Sequence, residues 1–443
     1  MPRNMIYVLS DQHRFDGWSR YNPQVKTPSL ERLAARGASF TNCYCNAQAC
    51  VPSRASIMTG LYPEVHGLWD NQKVLADTQK TWASHFSSHG YQTVAVGRTH
   101  HIDAGFDNVI RVPSGKSYPR NCHDPELQVH WRQDAMIQPS EVSFDDYYEA
   151  RITRTAIEFL EEMARSDTPF ILYVGFLAPH TALTPPKEFW DLYEGVEFDL
   201  SAQALPPPDL QTNPMVRDML AVSPEQHQRI TRGYYAQVSM IDHCIGMLLD
   251  ALEESGLSEE TLFLYTSDHG EQLGHRGLYS KCYGYDSSLH VPLFLSCPET
   301  IPEQRENDSF VEHIDLTALM CEALGVEQMS CSGRSFWDVC TGESDHGARD
   351  GIYSAWKGAQ CFRNSDYKWI HRLADSGEMV DEVYDLRADL AEQHSIVDTP
   401  TGREAMDSFL PKLQDLSLRH FRTQVSDLFP DAVQPPLIPF FTT

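Results

Sequence analysis

Acidic, basic and imidazole side chains follow four apolar segments of the sequence, each at the point where the segment ends. In chain order they are Asp11, then Arg98 and His100, then His180, and finally Asp268 with His269. Two carboxylates and an imidazole can bind a hard divalent cation, and an arginine with further histidines can bind an anion beside it. Together these residue types predict hydrolysis of a phosphate or sulfate ester.

The four apolar segments are typical of buried β-strands. They read "MIYVLSDQ", "YQTVAVGRTHH", "PFILYVGFLAPH" and "TLFLYTSDHGE". Near-continuous apolar runs suit strands that are covered on both faces, as in a parallel α/β sheet, where ligands bind beyond the carboxyl ends of the strands. We therefore predict an α/β fold with a large, mostly parallel central sheet flanked by helices, and one site that collects all four strand ends.

The segments between and after these strands predict helices and a second, smaller sheet. An apolar period near 3.6 predicts helices in "RITRTAIEFLEEMAR" and "RGYYAQVSMIDHCIGMLLDALEESG", whereas residues 196–225 are predicted to form a loop. Beyond residue 345, four short alternating runs precede a predicted helix near residues 402–421, which indicates a small antiparallel sheet with a helix on it. We predict a catalytic domain over 1–345 and a C-terminal subdomain over 346–443.

Composition excludes several classes of partner. The formal net charge of −27 repels nucleic acid and anionic membranes, and no apolar run is long enough to cross a bilayer. The sequence "MPRNMIYVLSDQ" enters an apolar strand at once, without the regions of a secretory signal. We therefore expect a cytoplasmic protein that binds neither nucleic acid nor membrane. The eleven cysteines, with no repeated spacing, are expected to be mostly reduced thiols.

Cys50 carries the most specific motif of the sequence. It opens "CVPSRASIMTG", which has the pattern Cys-x-Pro-Ser-Arg followed by six residues to Gly60. This stretch resembles the signature of the type I sulfatases, which belong to the alkaline phosphatase superfamily. The resemblance implies that Cys50 is oxidised to formylglycine by a formylglycine-generating enzyme. The hydrated aldehyde would then attack the ester, and covalent catalysis would divide one difficult displacement into two easier ones.

The resemblance extends from about residue 5 to residue 400. "TPSLERLAARGASFTNCYC" is similar to the stretch that precedes the family's nucleophile, and "TSDHGEQLG" is similar to its second metal motif. "VYDLRADLAEQHSIV" resembles the family's C-terminal segment, although Leu390 replaces its usual proline. The implied fold is alkaline-phosphatase-like, in agreement with the strand pattern.

The resemblance also implies a metal site. Asp11, Asp268 and His269 correspond to metal ligands of the family, with the modified residue at position 50 completing the set. Many members have two adjacent acids at the first strand, whereas here Asp11 follows Ser10, and Gln12 is expected to contribute little. The oxygen-rich ligand set favours Ca²⁺, and the imidazole leaves Mn²⁺ as the alternative.

Further roles follow from the same resemblance. Arg54 is expected to orient the diol, and His100 to assist its collapse after sulfate transfer. Arg98 is expected to bind the sulfate, while His180 and Lys281 hold the sulfate and protonate the leaving oxygen. Asn71 is a further candidate for substrate binding.

Two other functions remain open at this point. A phosphonate monoester or phosphodiester hydrolase of the same superfamily shares the oxidised cysteine, and a catalytically silent binding protein could retain the fold. For a sulfatase we expect a small sulfate ester or a short sulfated saccharide as substrate. The apolar, Pro-rich C-terminal segment "PPLIPFFTT" is expected either to pack on its own domain or to reach a neighbouring subunit, and we expect a homo-oligomer.

Overall fold

The computed structural model describes residues 1–76, 78–100, 102–118, 136–199, 204–347, 349–374 and 376–411. The strands are β1 (Asn4–Asp11), β2 (Ala38–Tyr44), β3 (Gln92–Gly97), β4 (Asn108–Ile110), β5 (Phe170–Pro179), β6 (Thr261–Ser267), β7 (Leu293–Ser296), β8 (Arg305–Glu312), β9 (Ile352–Trp356), β10 (Ala359–Arg363), β11 (Tyr367–Leu373) and β12 (Met379–Asp385). The α-helices are α1 (Pro28–Ala35), α2 (Cys50–Thr59), α3 (Pro63–His66), α4 (Trp82–Ser88), α5 (Tyr148–Met163), α6 (Lys187–Asp191), α7 (Pro214–Leu220), α8 (Pro224–Glu254), α9 (Asp286–Leu289), α10 (Asp315–Ala323) and α11 (Trp337–Thr341). Residues 400–411 are also helical.

The first eight strands form one sheet in the order β4-β3-β5-β1-β6-β7-β2-β8. Neighbouring strands are parallel except around β7, which runs antiparallel to both β6 and β2. The predicted large, mostly parallel sheet is therefore confirmed. The four strands predicted from the apolar segments, β1, β3, β5 and β6, lie side by side at its centre, so their carboxyl ends meet at one edge.

Both faces of the sheet are covered by helices, which is why its central strands are apolar without alternation. In β1, Ile6 and Val8 join the core beneath α5 and α8, while Met5, Tyr7 and Leu9 join the core beneath α2, α4 and α10. Side chains alternate between the faces of a strand, so a strand with two buried faces must be apolar throughout. In the described part of the chain, none of the helices combines the length and apolar composition needed to cross a bilayer.

Two polar residues define helix starts that the apolar period does not reveal. Ser223 Oγ accepts a hydrogen bond from the Gln226 amide at 3.2 Å and the Gln226 side chain accepts one from the Ser223 amide at 3.1 Å, so α8 begins before the predicted segment. Asn213 caps α7 by accepting from the Met215 amide at 2.9 Å. The prediction of a continuous loop over 196–225 is therefore wrong at α7, because a cap and a proline start a helix too short to show a period.

The last four strands form an antiparallel sheet in the order β12-β11-β10-β9, as predicted. Phe362, Trp369 and Val383 of this sheet pack with Phe409 of the helical residues 400–411, and with Leu61 beside α2. The predicted small sheet with a helix on it is confirmed. The remainder of the helix predicted near 402–421, and the C-terminal tail beyond it, lie outside the described residues. The domain boundary at residue 345 stays a prediction.

A buried ionic cluster, formed by Lys368, Asp286 and Glu392 and supported by a contact of Arg276 to a backbone carbonyl, joins the C-terminal sheet to the segment after β6. The Lys368 ammonium is fully buried and donates to Asp286 Oδ1 at 2.7 Å and to Glu392. The Asp286 amide donates to Glu392 Oε2 at 2.8 Å, and Arg276 Nη1 donates to the Glu392 carbonyl at 2.6 Å. Buried charges are tolerated only when they are paired, so these contacts fix the two parts of the chain together.

We expect the fold to lose stability as pH falls below the ordinary pKa of histidine, and His290 to contribute to this loss. Its ring lies between Phe15 and Tyr44, with ring centroids 3.8 and 4.6 Å away. Burial lowers the pKa of His290 to about 4. Between about pH 7 and pH 5, His290 therefore takes up a proton in the unfolded chain but stays neutral in the folded chain. This difference alone is expected to lower the free energy of unfolding by about 2 kcal/mol.

Urea denaturation of the wild type and of His290→Gln at both pH values measures this contribution. Gln keeps a donor for the Thr41 carbonyl, which His290 Nε2 contacts at 2.8 Å, but cannot take up a proton. The variant is therefore expected to lose less stability on acidification than the wild type. Equal losses in the two proteins would contradict the assignment.

Candidate active site

Cys50 is the first residue of α2, and the whole helix is buried. Ala49 precedes it in an extended conformation, and Gly60 ends the helix in the left-handed region at φ 66°. The Val51 amide, one of the free N–H groups of the first turn, donates to Asn71 Oδ1 at 3.0 Å. The partial positive charge of a helix N-terminus therefore lies at Cys50, and Asn71 caps the same turn.

Three polar atoms surround the Cys50 sulfur. Asp11 Oδ1 lies at 3.6 Å, His269 Nε2 at 3.3 Å and Lys281 Nζ at 3.5 Å. Burial, reinforced by the neighbouring Asp11 carboxylate, raises the pKa of the Cys50 thiol to about 12. Since only a thiolate is a strong nucleophile, the unmodified side chain is protonated and unreactive at neutral pH.

The two carboxylates come together because their strands are neighbours in register. Ser10 of β1 pairs with Ser267 of β6, so Asp11 and Asp268 follow side by side. The ring of His269 is oriented by Nδ1, which donates to the Gly270 carbonyl at 2.9 Å and leaves Nε2 facing the sulfur.

These residues fit a divalent metal ion. Single ligand atoms of Asp11, Cys50, Asp268 and His269 all lie within 4.8 Å of one another, and all four residues are buried. Two carboxylate oxygens and one imidazole nitrogen suit a hard or borderline cation, whereas a thiol with a raised pKa is a poor ligand. An oxygen function at position 50 would complete the set better than sulfur does.

Arg54 connects the two carboxylates. Its side chain is buried, with Nε 2.8 Å from Asp268 Oδ2 and Nη2 3.2 Å from Asp11 Oδ2. Nη1 donates to the Tyr173 hydroxyl and to the Arg98 carbonyl, both at 3.1 Å. Burial alone would raise the pKa of Asp11, but the surrounding cationic groups hold it well below its ordinary value.

Arg98, His100 and His180 lie at the same sheet edge, on the side of β3 and β5. Arg98 Nε is 3.4 Å from Asp11 Oδ2, and His180 Nδ1 is 2.7 Å from the Thr181 carbonyl. Burial and then Arg98 lower the pKa of His100, while burial and then Lys281 lower the pKa of His180. Both imidazoles are therefore neutral at physiological pH.

Lys281, unlike these two histidines, is protonated. Burial opposes its charge, but contact with Cys50 and the carboxylates of Asp11 and Asp268 raise the pKa of Lys281 above its ordinary value. Its ammonium donates to Gln12 Oε1 at 2.6 Å as well as approaching the sulfur. The site therefore contains an ammonium donor beside two neutral imidazoles.

All the residues predicted to act together come from the four strand ends, α2 and the segment after β6, and the structure brings them to one edge of the sheet. Asn71 meets the backbone of α2, and its predicted contact with substrate stays a prediction. Sequence reasoning missed Tyr173, which contacts Arg54 from within β5, and assigned little to Gln12. Neither residue had a sequence signal, since Tyr173 stands inside an apolar run and a lone glutamine matches no chemical motif.

The chain is similar to known proteins along most of its length. A family profile described as "Sulfatase" matches residues 3–326, and one described as "N-sulphoglucosamine sulphohydrolase, C-terminal" matches residues 274–419. Choline-sulfatase of Rhizobium meliloti is 26% identical over 434 residues, covering 91% of this chain and 83% of that protein. N-acetylglucosamine-6-O-sulfatase of Bacteroides thetaiotaomicron is 26% identical over 470 residues, covering 89% and 82%. The crystal structure of a phosphonate monoester hydrolase of Agrobacterium radiobacter shares the fold, with a TM-score of 0.81, 21% identity and coverage of 95% and 96%.

Proposed function

The chain belongs to the sulfatase family of hydrolases, and from this premise we propose that it hydrolyses a sulfate monoester at Cys50 after that residue is oxidised to formylglycine. One observation carries the proposal. The Cys50 thiol is protonated and buried, yet it stands at a helix N-terminus within 4.8 Å of the ligand atoms of Asp11, Asp268 and His269. This environment suits an ionisable hydroxyl far better than a thiol.

The residues around position 50 supply orientation and charge. One hydroxyl of the hydrated aldehyde attacks sulfur, the ester S–O bond breaks, and the second hydroxyl expels the sulfate. Arg54 and the N-terminus of α2 stabilise the negative charge that develops on the attacking oxygen. We assign to His100, which lies at this edge of the sheet beside Arg98, the acceptance of the proton that the second hydroxyl releases.

Asp11, Asp268 and His269 would hold one divalent metal ion, with Ca²⁺ favoured and Mn²⁺ the alternative. When bound, the ion supplies Lewis-acid activation of the sulfate and favours the ionised diol. Arg54 orients both carboxylates through its bonds to Asp268 Oδ2 and Asp11 Oδ2, and its charge helps to hold the pKa of Asp11 below its ordinary value.

We place the sulfate group beside two cationic side chains, Arg98 and Lys281. Arg98 offers a guanidinium that can bond two sulfate oxygens at once, and Lys281 offers an ammonium from the segment after β6. We assign to Lys281 and His180 together the binding of the sulfate and the protonation of the leaving oxygen. Asn71 is retained as a candidate contact for the remainder of the substrate.

We propose a small sulfate ester or a short sulfated saccharide as the substrate. The two relatives described above are named choline-sulfatase and N-acetylglucosamine-6-O-sulfatase, and these names refer to choline and to a single type of sugar unit. A chain with a net charge of −27 would repel a long sulfated polymer beyond its cationic site.

A phosphonate monoester hydrolase is the second candidate, because the fold matches one of these enzymes at a TM-score of 0.81 and the first strand carries a single acid, Asp11. A panel of esters separates the candidates. We expect the matured protein to release sulfate from an aryl sulfate, choline sulfate or a sulfated monosaccharide with a higher kcat/KM than it shows on an aryl phosphonate. A clear preference for the phosphonate would replace our first proposal with the second.

A further inference from the structure

The segment that carries Lys281, between β6 and α9, has one short 3-10 turn, His275–Gly277, as its regular structure. Leu273, Arg276, Ser280 and Cys282 all adopt positive φ angles, which non-glycine residues rarely do. A lysine side chain also has many rotamers, and ordering it in one of them costs conformational entropy. Some other group must therefore hold the ammonium beside Cys50.

The Gln12 side chain is the group that meets the ammonium. Gln12 Oε1 accepts from Lys281 Nζ at 2.6 Å, and this contact is shorter than the 3.5 Å between Lys281 Nζ and Cys50 Sγ. The Gln12 backbone is itself fixed, because its amide donates to Asp268 Oδ1 at 3.0 Å and its carbonyl accepts from the Tyr234 hydroxyl at 2.7 Å. Gln12 is therefore a rigid acceptor that follows Asp11 directly.

Glu271 determines which end of the Gln12 amide faces Lys281. One carboxyl oxygen of Glu271 accepts from Gln12 Nε2, and the other accepts from the amides of Leu273, at 3.0 Å, and Ser280. An ammonium has only donors, so the Gln12 amide must meet Lys281 with its carbonyl, and its NH₂ then faces an oxygen of Glu271. Glu271 thus fixes the acceptor and, through Ser280, the backbone next to Lys281.

We propose that Glu271 is a positioning residue, which acts through the Gln12 side chain and the Ser280 amide to hold the Lys281 ammonium over position 50. The inference rests on the proposed function only for the role of Lys281 in the reaction. It assigns a task to Gln12, which stands where a second acid is common, and to a buried glutamate that is not among the polar groups around the Cys50 sulfur.

Glu271→Gln tests this role. The carbonyl of the introduced amide can still accept from the amides of Leu273 and Ser280, but its NH₂ then faces the NH₂ of Gln12, so the Gln12 amide must turn away from Lys281. We expect kcat/KM on an aryl sulfate to fall about 10- to 100-fold, the usual scale for partners that orient an active-site group. A value within about twofold of wild type, at equal formylglycine content, would overturn the proposal.

A double variant that exchanges the side chains of positions 12 and 271 tests whether the lost activity can be rescued. In the double variant Gln12→Glu/Glu271→Gln, the carboxylate at position 12 accepts both from the new amide at position 271 and from Lys281, so the contact to the ammonium returns. We expect the double variant to be more active than Glu271→Gln, because the two changes compensate each other. A purely structural role for Glu271 predicts no rescue, and an absence of rescue would refute the proposal even if the single variant proved too unstable to purify.

Glu382→Gln is the matched control. Glu382 is another buried carboxyl, which bonds the hydroxyls of Tyr285 and Tyr384 at 2.8 and 2.6 Å on the C-terminal sheet. We expect it to lower the melting temperature and to leave kcat/KM unchanged.

A crystal structure of Glu271→Gln provides a readout that does not depend on the reaction. We expect Lys281 Nζ to leave Gln12 Oε1 while the fold around it stays intact. An unmoved ammonium would overturn the inference whatever the enzyme hydrolyses, whereas a moved ammonium in a protein without sulfatase activity would count against the proposed function alone.

Discussion

Cys50→Ala is expected to abolish sulfate release, lowering kcat by a factor on the order of 10⁶, the scale for removal of a catalytic nucleophile. The variant keeps Asp11, Asp268, His269 and Arg54, so the fold and three of the four proposed metal ligands should persist while the reacting group is gone. The measurement is the initial rate of sulfate release by proteins co-expressed with a formylglycine-generating enzyme. Mass spectrometry of the peptide covering residues 46–63 should show exchange of sulfur for oxygen in the wild type only.

Cys244→Ala is the control for this experiment. Cys244 is a buried thiol of α8, and its loss creates a small cavity without touching the site. It should keep wild-type kcat. Full activity of a wild-type sample that retains an unmodified Cys50 would refute the formylglycine mechanism. The catalytically silent alternative would instead be supported by two findings on protein purified from its native cells. Residue 50 would be unmodified in this peptide, and the protein would be inactive on every ester.

Asp268→Asn is expected to remove the metal ion and to lower kcat/KM by about 10³-fold or more, since a metal that activates the ester is worth several kcal/mol. Asp268 has a double task. Its Oδ1 faces the amides of Gln12 and His269 at 3.0 and 2.9 Å, while Oδ2 accepts from Arg54 Nε at 2.8 Å. An asparagine at position 268 is a weaker metal ligand than aspartate. Its NH₂ group would also face one of these N–H donors, so one hydrogen bond would be lost.

Metal content by elemental analysis and activity should fall together in Asp268→Asn, and added Ca²⁺ or Mn²⁺ should restore chelated wild type but not the variant. Asp381→Asn is the control, because Asp381 pairs with His371 on the C-terminal sheet at 2.7 Å and should retain both metal and activity. Wild-type metal content in Asp268→Asn would contradict the assignment of this ligand. The ion that best restores the chelated wild type distinguishes calcium from manganese.

Much of the site could be predicted from sequence because it lies at the edge of the sheet where the carboxyl ends of neighbouring parallel strands meet. Asp11, Arg98, His180 and Asp268 each follow a strand that is buried on both faces, and such strands are adjacent and parallel in α/β sheets. Once the strands are recognised, the meeting of these four residues requires no knowledge of side-chain geometry. Cys50 is found differently, through a local motif.

The contacts that orient these residues could not be predicted in the same way. Tyr173 bonds Arg54 from the middle of β5, and the pattern of an apolar strand gives no indication that one tyrosine turns its hydroxyl to a guanidinium. The contact between Gln12 and Lys281 joins residues 269 positions apart, and Lys281 lies in a segment with positive φ angles, where neither period nor propensity applies. Helix α7 escapes prediction because capping, rather than hydrophobic periodicity, defines it.

The buried ionic cluster has a consequence for chimaeras between relatives. Lys368 and Glu392 belong to the C-terminal part of the chain, whereas Asp286 and Arg276 flank the segment of Lys281. Exchange of the C-terminal sheet alone would leave the buried Asp286 carboxylate opposite a foreign surface and remove contacts that hold the segment of Lys281. A chimaera designed to transfer substrate preference should therefore take residues 271–290 and the C-terminal sheet from the same parent protein.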